Sequence, residues 1–245
     1  SEAIAKMHEA GADMNAQVSW LPLKDMPAAN IDGIPELQFH RDLLANIDNK
    51  QYLRSIGRVE GFEETTVPTL NVTGWNDFLR DKTIYNFTQF QQRGGSEACR
   101  KGSKLIVGPW LHGDRMDGWI EGVNYGPEAS GDDFGITEKL TQWFDHWCKG
   151  LDTEFTSGAP VKLFVMGKNI WRDEYEWPLA RTKYTPFYLH SAGKANTCLG
   201  DGMLTEKPCG AEPADHYTYD PMNPCPSDTG EPQKMMMQDQ RLLQK

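Results

Sequence analysis

Two short segments of the 245-residue chain carry side chains suited to proton chemistry. One is V-P-T-L-N-V-T-G-W-N-D, ending at Asp77, and the other is K-L-I-V-G-P-W-L-H-G, carrying His112. An imidazole takes up and returns a proton near neutral pH, and a carboxylate beside it selects the tautomer and stabilises the imidazolium. Each segment is a run of apolar, β-favouring residues that stops at a Gly and a Trp before the polar side chain. Strands of a parallel sheet, buried on both faces, read this way, and their functional side chains sit on loops just past their carboxyl ends.

An acid followed by a histidine, in that order and on successive strands, matches the second half of a Ser…Asp…His triad on an α/β-hydrolase sheet. His112 would take the serine proton during attack and return it to the leaving group, with Asp77 as its fixed partner. The nucleophile itself has no counterpart. Ser96 in G-G-S-E-A, Ser103 in K-G-S-K-L and Ser130 in A-S-G-D-D all follow Asp77, and none sits in a G-x-S-x-G elbow. The five cysteines, Cys99, Cys148, Cys198, Cys209 and Cys225, also follow the acid. Either the chain is a fragment whose upstream portion holds the serine, or the triad reading fails. Taken singly, Asp77 is also placed to cap a helix over 78–90, and His112 to be an ordinary loop histidine.

The elements that would position this pair fall into three regions. Residues 1–64 show helical spacing at Leu43, Leu44, Ile47 and Tyr52, broken by L-P-L-K-D-M-P and D-G-I-P. Residues 65–152 read as strand over 69–73, helix over 84–93, strand over 104–107 and helix over 136–148. In the last helix Ile136, Leu140, Trp143, Phe144 and Trp147 make one broad apolar face, expected to pack on the sheet. Residues 153–245 contain V-K-L-F-V-M and Y-T-P-F-Y-L-H, short strand-like runs separated by Gly, Pro, Asn and Asp, the mark of an all-β region.

Four of these segments, in order, resemble the cocaine esterase, X-Pro dipeptidyl-peptidase and α-amino-acid ester hydrolase family. They are V-P-T-L-N-V-T-G-W-N-D, L-I-V-G-P-W-L-H-G, V-K-L-F-V-M-G-K-N-I-W-R-D-E-Y-E-W-P and T-P-F-Y-L-H. The resemblance implies a fold of class α/β: the C-terminal half of an α/β-hydrolase sheet with part of a helical cap over 1–64, then the start of an all-β jelly-roll domain. It places the triad aspartate on Asp77 and the triad histidine on His112, with the serine and the oxyanion-hole tyrosine upstream. The implied activity is hydrolysis of carboxylic esters or N-terminal dipeptide amides, the chain supplying acid and base and being inactive alone. Trp75, Phe78 and Trp110 stand where they would shape an acyl pocket or wedge strand against helix. Phe78 directly after the acid departs from the family, where a smaller residue usually comes first. A jelly roll needs about eight strands, and this chain has room for three or four, so open strand edges prone to aggregation are expected.

Composition sets the outer limits. A hydrophobic content of 38% with 11% aromatics is ample for a packed core. The net charge of −10 argues against nucleic acid and against an anionic membrane as partner, and no apolar run approaches the roughly 18 residues that span a bilayer. The expected partner is a small ester or peptide substrate, with a homo-oligomer left open, and a cytoplasmic setting is favoured over a secreted one. Cys198, Cys209 and Cys225 lie close enough in sequence for one bridge, against unpaired thiols in a reducing compartment. No cofactor or metal is expected: His112, Asp114 and Asp117 offer donors, but no second cluster matches them. The competing function is a non-catalytic binding protein that uses the β region and keeps the hydrolase remnant as scaffold.

Overall fold

The structure is a computed structural model that describes residues 20–26, 35–57, 61–113, 116, 118–120 and 122–223. The chain divides into two compact units, Ser1–Gly61 with Pro221–Asn223, and Phe62–Asp220 with Pro224–Lys245. In the first, helices α1 (Pro35–Ala45) and α2 (Lys50–Ile56) follow a 3-10 turn at Leu23–Asp25. Asn49 starts α2 by accepting the Tyr52 N–H through its side chain at 3.1 Å, which satisfies one of the free donors of the first turn. Leu43, Leu44 and Tyr52 are half-buried, whereas Ile47, expected on the same stripe, falls in the turn between the helices and is exposed.

The second unit is built on a mixed four-stranded sheet. Its elements are β1 (Leu70–Gly74), α3 (Arg80–Arg93), α4 (Glu97–Gly102), β2 (Lys104–Gly108), the small hairpin β3 (Trp119–Ile120) and β4 (Val123–Asn124), α5 (Gly131–Phe134), α6 (Ile136–Lys149), α7 (Glu154–Ser157), β5 (Val161–Val165) and β6 (Ile170–Glu174). The strand order is β1-β2-β5-β6; β1, β2 and β5 are parallel, and β6 returns antiparallel to β5. Both faces are covered. On one, Leu105, Val107, Val161 and Leu163 pack with Phe87 of α3; on the other, Ile106 packs with Ile136 and Trp143 of α6 and Phe155 of α7. Period-two alternation along β2 thus feeds two separate cores, the reason its sequence reads as an uninterrupted apolar run.

Two observations qualify the expected layout of this sheet. V-K-L-F-V, read as the first strand-like run of the all-β region, pairs in parallel with β2 through Leu105↔Val161, Ile106↔Lys162 and Val107↔Leu163. The sheet needs it: β2 is buried along its whole length and its outer ladder groups would otherwise lack partners. The hairpin to β6 then closes the edge, with Lys162 paired to Asp173 at 2.5 Å and Glu174 held by Arg172 and Arg181. The second is α6, which packs on the sheet over only part of its apolar face. Its stripe is wider than the surface the sheet offers: Ile136 and Trp143 are buried, but Phe144 is 58% exposed. Trp147 packs instead on α4, where a Cβ at Gly102 would lie 2.5 Å from its ring.

Beyond β6, β7 (Tyr188–His190) and β8 (Met203–Thr205) form a two-stranded antiparallel ribbon. Its loops are tied by side chains rather than by further strands. Ser191 donates to Asp215 at 2.7 Å, Asp201 accepts from the Ala192 and Lys194 N–H groups, and His190 bridges Glu212 and the Lys207 carbonyl. Cys225 and the three methionines at 235–237 lie outside the described residues. Among the described residues, no helix is long and apolar enough to cross a membrane.

Candidate active site

Asp77 and His112 come together at the carboxyl ends of adjacent parallel strands. β1 and β2 finish in register at Gly74↔Gly108, so the next residues of each segment enter neighbouring loops on the same edge of the sheet. The approach is close enough to require glycine twice. A Cβ on Gly74 would lie 1.9 Å from the Trp110 carbonyl oxygen, and one on Gly108 would lie 2.4 Å from the Trp110 ring. The loops are then joined by three hydrogen bonds: Trp75 N–H to Gly108 O at 2.8 Å, Asn76 N–H to Trp110 O at 3.2 Å, and Asn76 Nδ2 to Pro109 O at 2.7 Å.

Within this frame His112 Nδ1 lies 3.0 Å from Asp77 Oδ1. The same oxygen accepts the Leu79 N–H at 2.7 Å, and Oδ2 lies 3.4 Å from the buried Thr73 hydroxyl. A carboxylate receiving donors from three directions has a fixed orientation and, facing an imidazole, selects the tautomer with hydrogen on Nδ1. Asp77 is 12% and His112 37% exposed, so the acid is sheltered while the ring reaches solvent. His112 Nε2 has no hydrogen-bond partner among the described residues. Asp77 is not the N-cap of α3; Leu79 holds that position without a side-chain bond, and Asp77 braces the turn that leads into it.

The three aromatic candidates separate. Phe78 stays beside the pair, its ring centroid 4.4 Å from that of His112 and its side largely open to solvent. Trp110 is buried, donates Nε1 to the Ala129 carbonyl at 2.7 Å, and packs against Phe134 and Trp171, a wedge between sheet and helices. Trp75 donates Nε1 to the Phe164 carbonyl at 2.7 Å and joins the α3-side core. No local pattern in the sequence marks Arg80, Thr73 or Asn76. Arg80 caps the Trp75 carbonyl at 2.7 Å, and only the tertiary fold reveals that bond.

The remaining nucleophile candidates have local duties. Ser96 caps α4 through the Cys99 N–H, Ser130 caps α5 through the Asp133 N–H, and buried Ser103 joins Thr69 to the Cys99 carbonyl. Among the described residues, no serine hydroxyl or cysteine thiol is hydrogen-bonded to His112. Cys99, Cys148 and Cys209 are free thiols. Asp114 and Asp117 lie outside the described residues, and no group of three or more potential metal ligands is gathered among those described.

Two family models match the chain: X-Pro dipeptidyl-peptidase (S15 family) over residues 2–114, and X-Pro dipeptidyl-peptidase C-terminal non-catalytic domain over 153–243. The cocaine esterase of Rhodococcus sp. strain MB1 Bresler is 36% identical over 184 residues, covering 74% of this chain and 30% of the relative. A provisionally named serine esterase of Mycobacterium bovis is 31% identical over 134 residues, covering 49% of this chain and 20% of the relative. This chain thus spans under a third of the length of either. A crystal structure of an aminopeptidase from a marine sediment Thaumarchaeota archaeon matches 82% of the chain and 31% of its own, with TM-score 0.54 at 19% identity, a likeness of fold. The two family models fall on either side of the segment that leads from the His112 loop through α6, and both relatives are esterases by name; the chain belongs to the cocaine esterase and X-Pro dipeptidyl-peptidase family.

Proposed function

We propose that this chain supplies the general base, His112, and its orienting acid, Asp77, to a serine hydrolase that cleaves carboxylic esters or N-terminal dipeptide amides. What supports the reading is the 3.0 Å contact between Asp77 Oδ1 and His112 Nδ1, with Nε2 left open at the rim of the sheet. In such a site a serine hydroxyl meets Nε2 and loses its proton as it attacks the acyl carbon. The imidazolium then protonates the departing alkoxide or amine, and a second cycle with water releases the acid. Asp77 keeps the proton on Nδ1 and its charge stabilises the cationic ring throughout. Phe78, exposed against the imidazole, offers an apolar surface for the acyl or leaving group; Trp75 and Trp110 act through packing.

In the same reading residues 1–64 belong to a helical cap, residues 65–152 carry the catalytic end of the hydrolase sheet, and residues 153–245 open a jelly-roll domain whose first strands, β5 and β6, extend that sheet before the β7–β8 ribbon. The nucleophile and oxyanion hole come from outside these 245 residues, so the chain alone has no esterase activity. A chromogenic short-chain ester assay tests this, run on the chain and on a version preceded by a G-x-S-x-G segment, each with and without His112→Ala. Turnover only by the extended protein, abolished by His112→Ala, is the expected result. Turnover by the chain alone, dependent on His112, would place a nucleophile within it; silence from both would leave a binding protein on a hydrolase scaffold.

A further inference from the structure

We propose that Asn76 is a positioning residue that holds the acid loop and the base loop in register, and so sets the orientation of the His112 ring without touching either catalytic group. The inference rests on reading Asp77 and His112 as a working pair. Ladder pairing between β1 and β2 stops at Gly74↔Gly108, with one further bond from the Trp75 N–H to Gly108 O, and past that bond backbone pairing alone no longer holds the two loops in register. Asn76 spans them with two bonds, its N–H to Trp110 O at 3.2 Å and its Nδ2 to Pro109 O at 2.7 Å. It precedes the acid directly, and its acceptors lie two and three residues before the histidine.

The residue type is dictated by what it faces. Pro109 has no N–H, so at that point the base loop offers only a carbonyl and the link must be donated from the acid loop. A short side chain with a neutral donor meets that need. A carboxylate of the same shape would set two acceptors against each other, and an aliphatic side chain would leave the Pro109 carbonyl without this donor. The Asp77 to His112 contact depends on this register because a hydrogen bond weakens steeply with distance and angle. Displacement of about 1 Å at a reacting group can cost about 100-fold in rate, which is why a link outside the pair matters.

The test reads the tautomer of His112 in long-range proton–nitrogen NMR spectra of the chain, the ring being identified by its loss in His112→Gln. The folded chain should show hydrogen on Nδ1. In Asn76→Ala the ratio of Nδ1–H to Nε2–H should fall by about tenfold, the equilibrium equivalent of one lost hydrogen bond, and Asn76→Gln, which keeps the amide, should restore part of it. The Trp75 Nε1–H resonance, bonded to Phe164 O, reports that the sheet is intact. An unchanged ratio in folded Asn76→Ala overturns the proposal. Should that variant not fold, the scalar coupling from Asn76 Nδ2–H to the Pro109 carbonyl in the unaltered chain decides, and its absence overturns the proposal equally. Failure of the catalytic reading looks different: the extended hydrolase would keep its activity in His112→Ala while the tautomer still responded to Asn76.

Discussion

The Asp77 to His112 pair has one oxygen that serves two donors, Nδ1 of the imidazole and the Leu79 N–H. Replacement of Asp77 by Asn keeps the shape but can present an N–H where the acceptor stood, favouring the wrong tautomer. In the extended hydrolase Asp77→Asn should lower turnover by about 10⁴-fold with little change in thermal midpoint, measured by ester kinetics beside calorimetry. Gly74 carries a different kind of constraint. Because a Cβ there would meet the Trp110 carbonyl at 1.9 Å, backbone against backbone, neither side can rotate away. Gly74→Ala should cost about 3 kcal/mol or more in denaturant unfolding and should separate the acid and base loops.

Among the elements, α6 shows how burial rather than hydrophobicity decides energetic weight. Trp143 is buried in the core beneath Ile106 and Trp110, whereas Phe144, one residue on, faces outward. Trp143→Ala should destabilise the fold by about 3–5 kcal/mol, while Phe144→Ser should stay within about 0.5 kcal/mol, as read from urea midpoints. The β7–β8 ribbon depends instead on a titrating clasp. His190 Nε2 faces the Lys207 carbonyl, which can only accept, and Nδ1 faces the Glu212 carboxylate at 2.6 Å, so the cationic ring, with hydrogen on both nitrogens, is the form that satisfies both acceptors. The Glu212 hydrogen bond, with the Lys207 carbonyl, raises the His190 pKa above its usual 6.5, and the His190 contact lowers that of Glu212. The histidine contribution is therefore full below about 6.5 and is lost as pH rises through the raised folded value. The glutamate contribution is lost on the acid side, as pH falls through its lowered value. Exchange protection of the Ser191 N–H, which donates to Glu212, should fall as pH rises above 6.5 through the raised His190 value, after correction for intrinsic rates. Glu212→Gln should remove that dependence.

At the scale of the whole molecule, the sheet continues past the segment that looks like its end. A chain stopped at residue 152 would lose β5 and β6, baring the outer ladder of β2 and the apolar face formed with Val161 and Leu163. It should aggregate, while one stopped at residue 181, just past the Arg181 to Glu174 pair, should keep the cooperative unfolding of this unit, a contrast seen by size exclusion and circular dichroism. Lys104 adds a global pH dependence. Its ammonium is buried, donating to the Gly158 and Ala159 carbonyls, and burial lowers its pKa from 10.5 to about 8. Between about 8 and 10 the unfolded chain holds a proton that the native state has shed, so stability rises with pH. Going from pH 7.5 to 9.5 should gain on the order of 1 kcal/mol relative to Lys104→Met in guanidinium titrations, which separates this effect from the His190 clasp.

Local signals in the sequence were sufficient for β1, β2, α3 and α6, to within a few residues, because each is a strongly patterned run ended by Gly. The likeness of two Gly-Trp strand ends to a hydrolase family also points to Asp77 and His112. Several features lay beyond such signals because they are contacts between segments far apart in the chain. The parallel pairing of β5 with β2 was one, since an apolar five-residue run is compatible with either domain. The burial of Trp110 and Trp75, the outward turn of Phe144, and the bond from Asn76 to Pro109 were others. A side chain's type and local spacing state which interactions it is able to make, and these were written in the sequence. Which partner meets it depends on the register and layering of strands about 30 to 90 residues apart, and only the tertiary structure decided that.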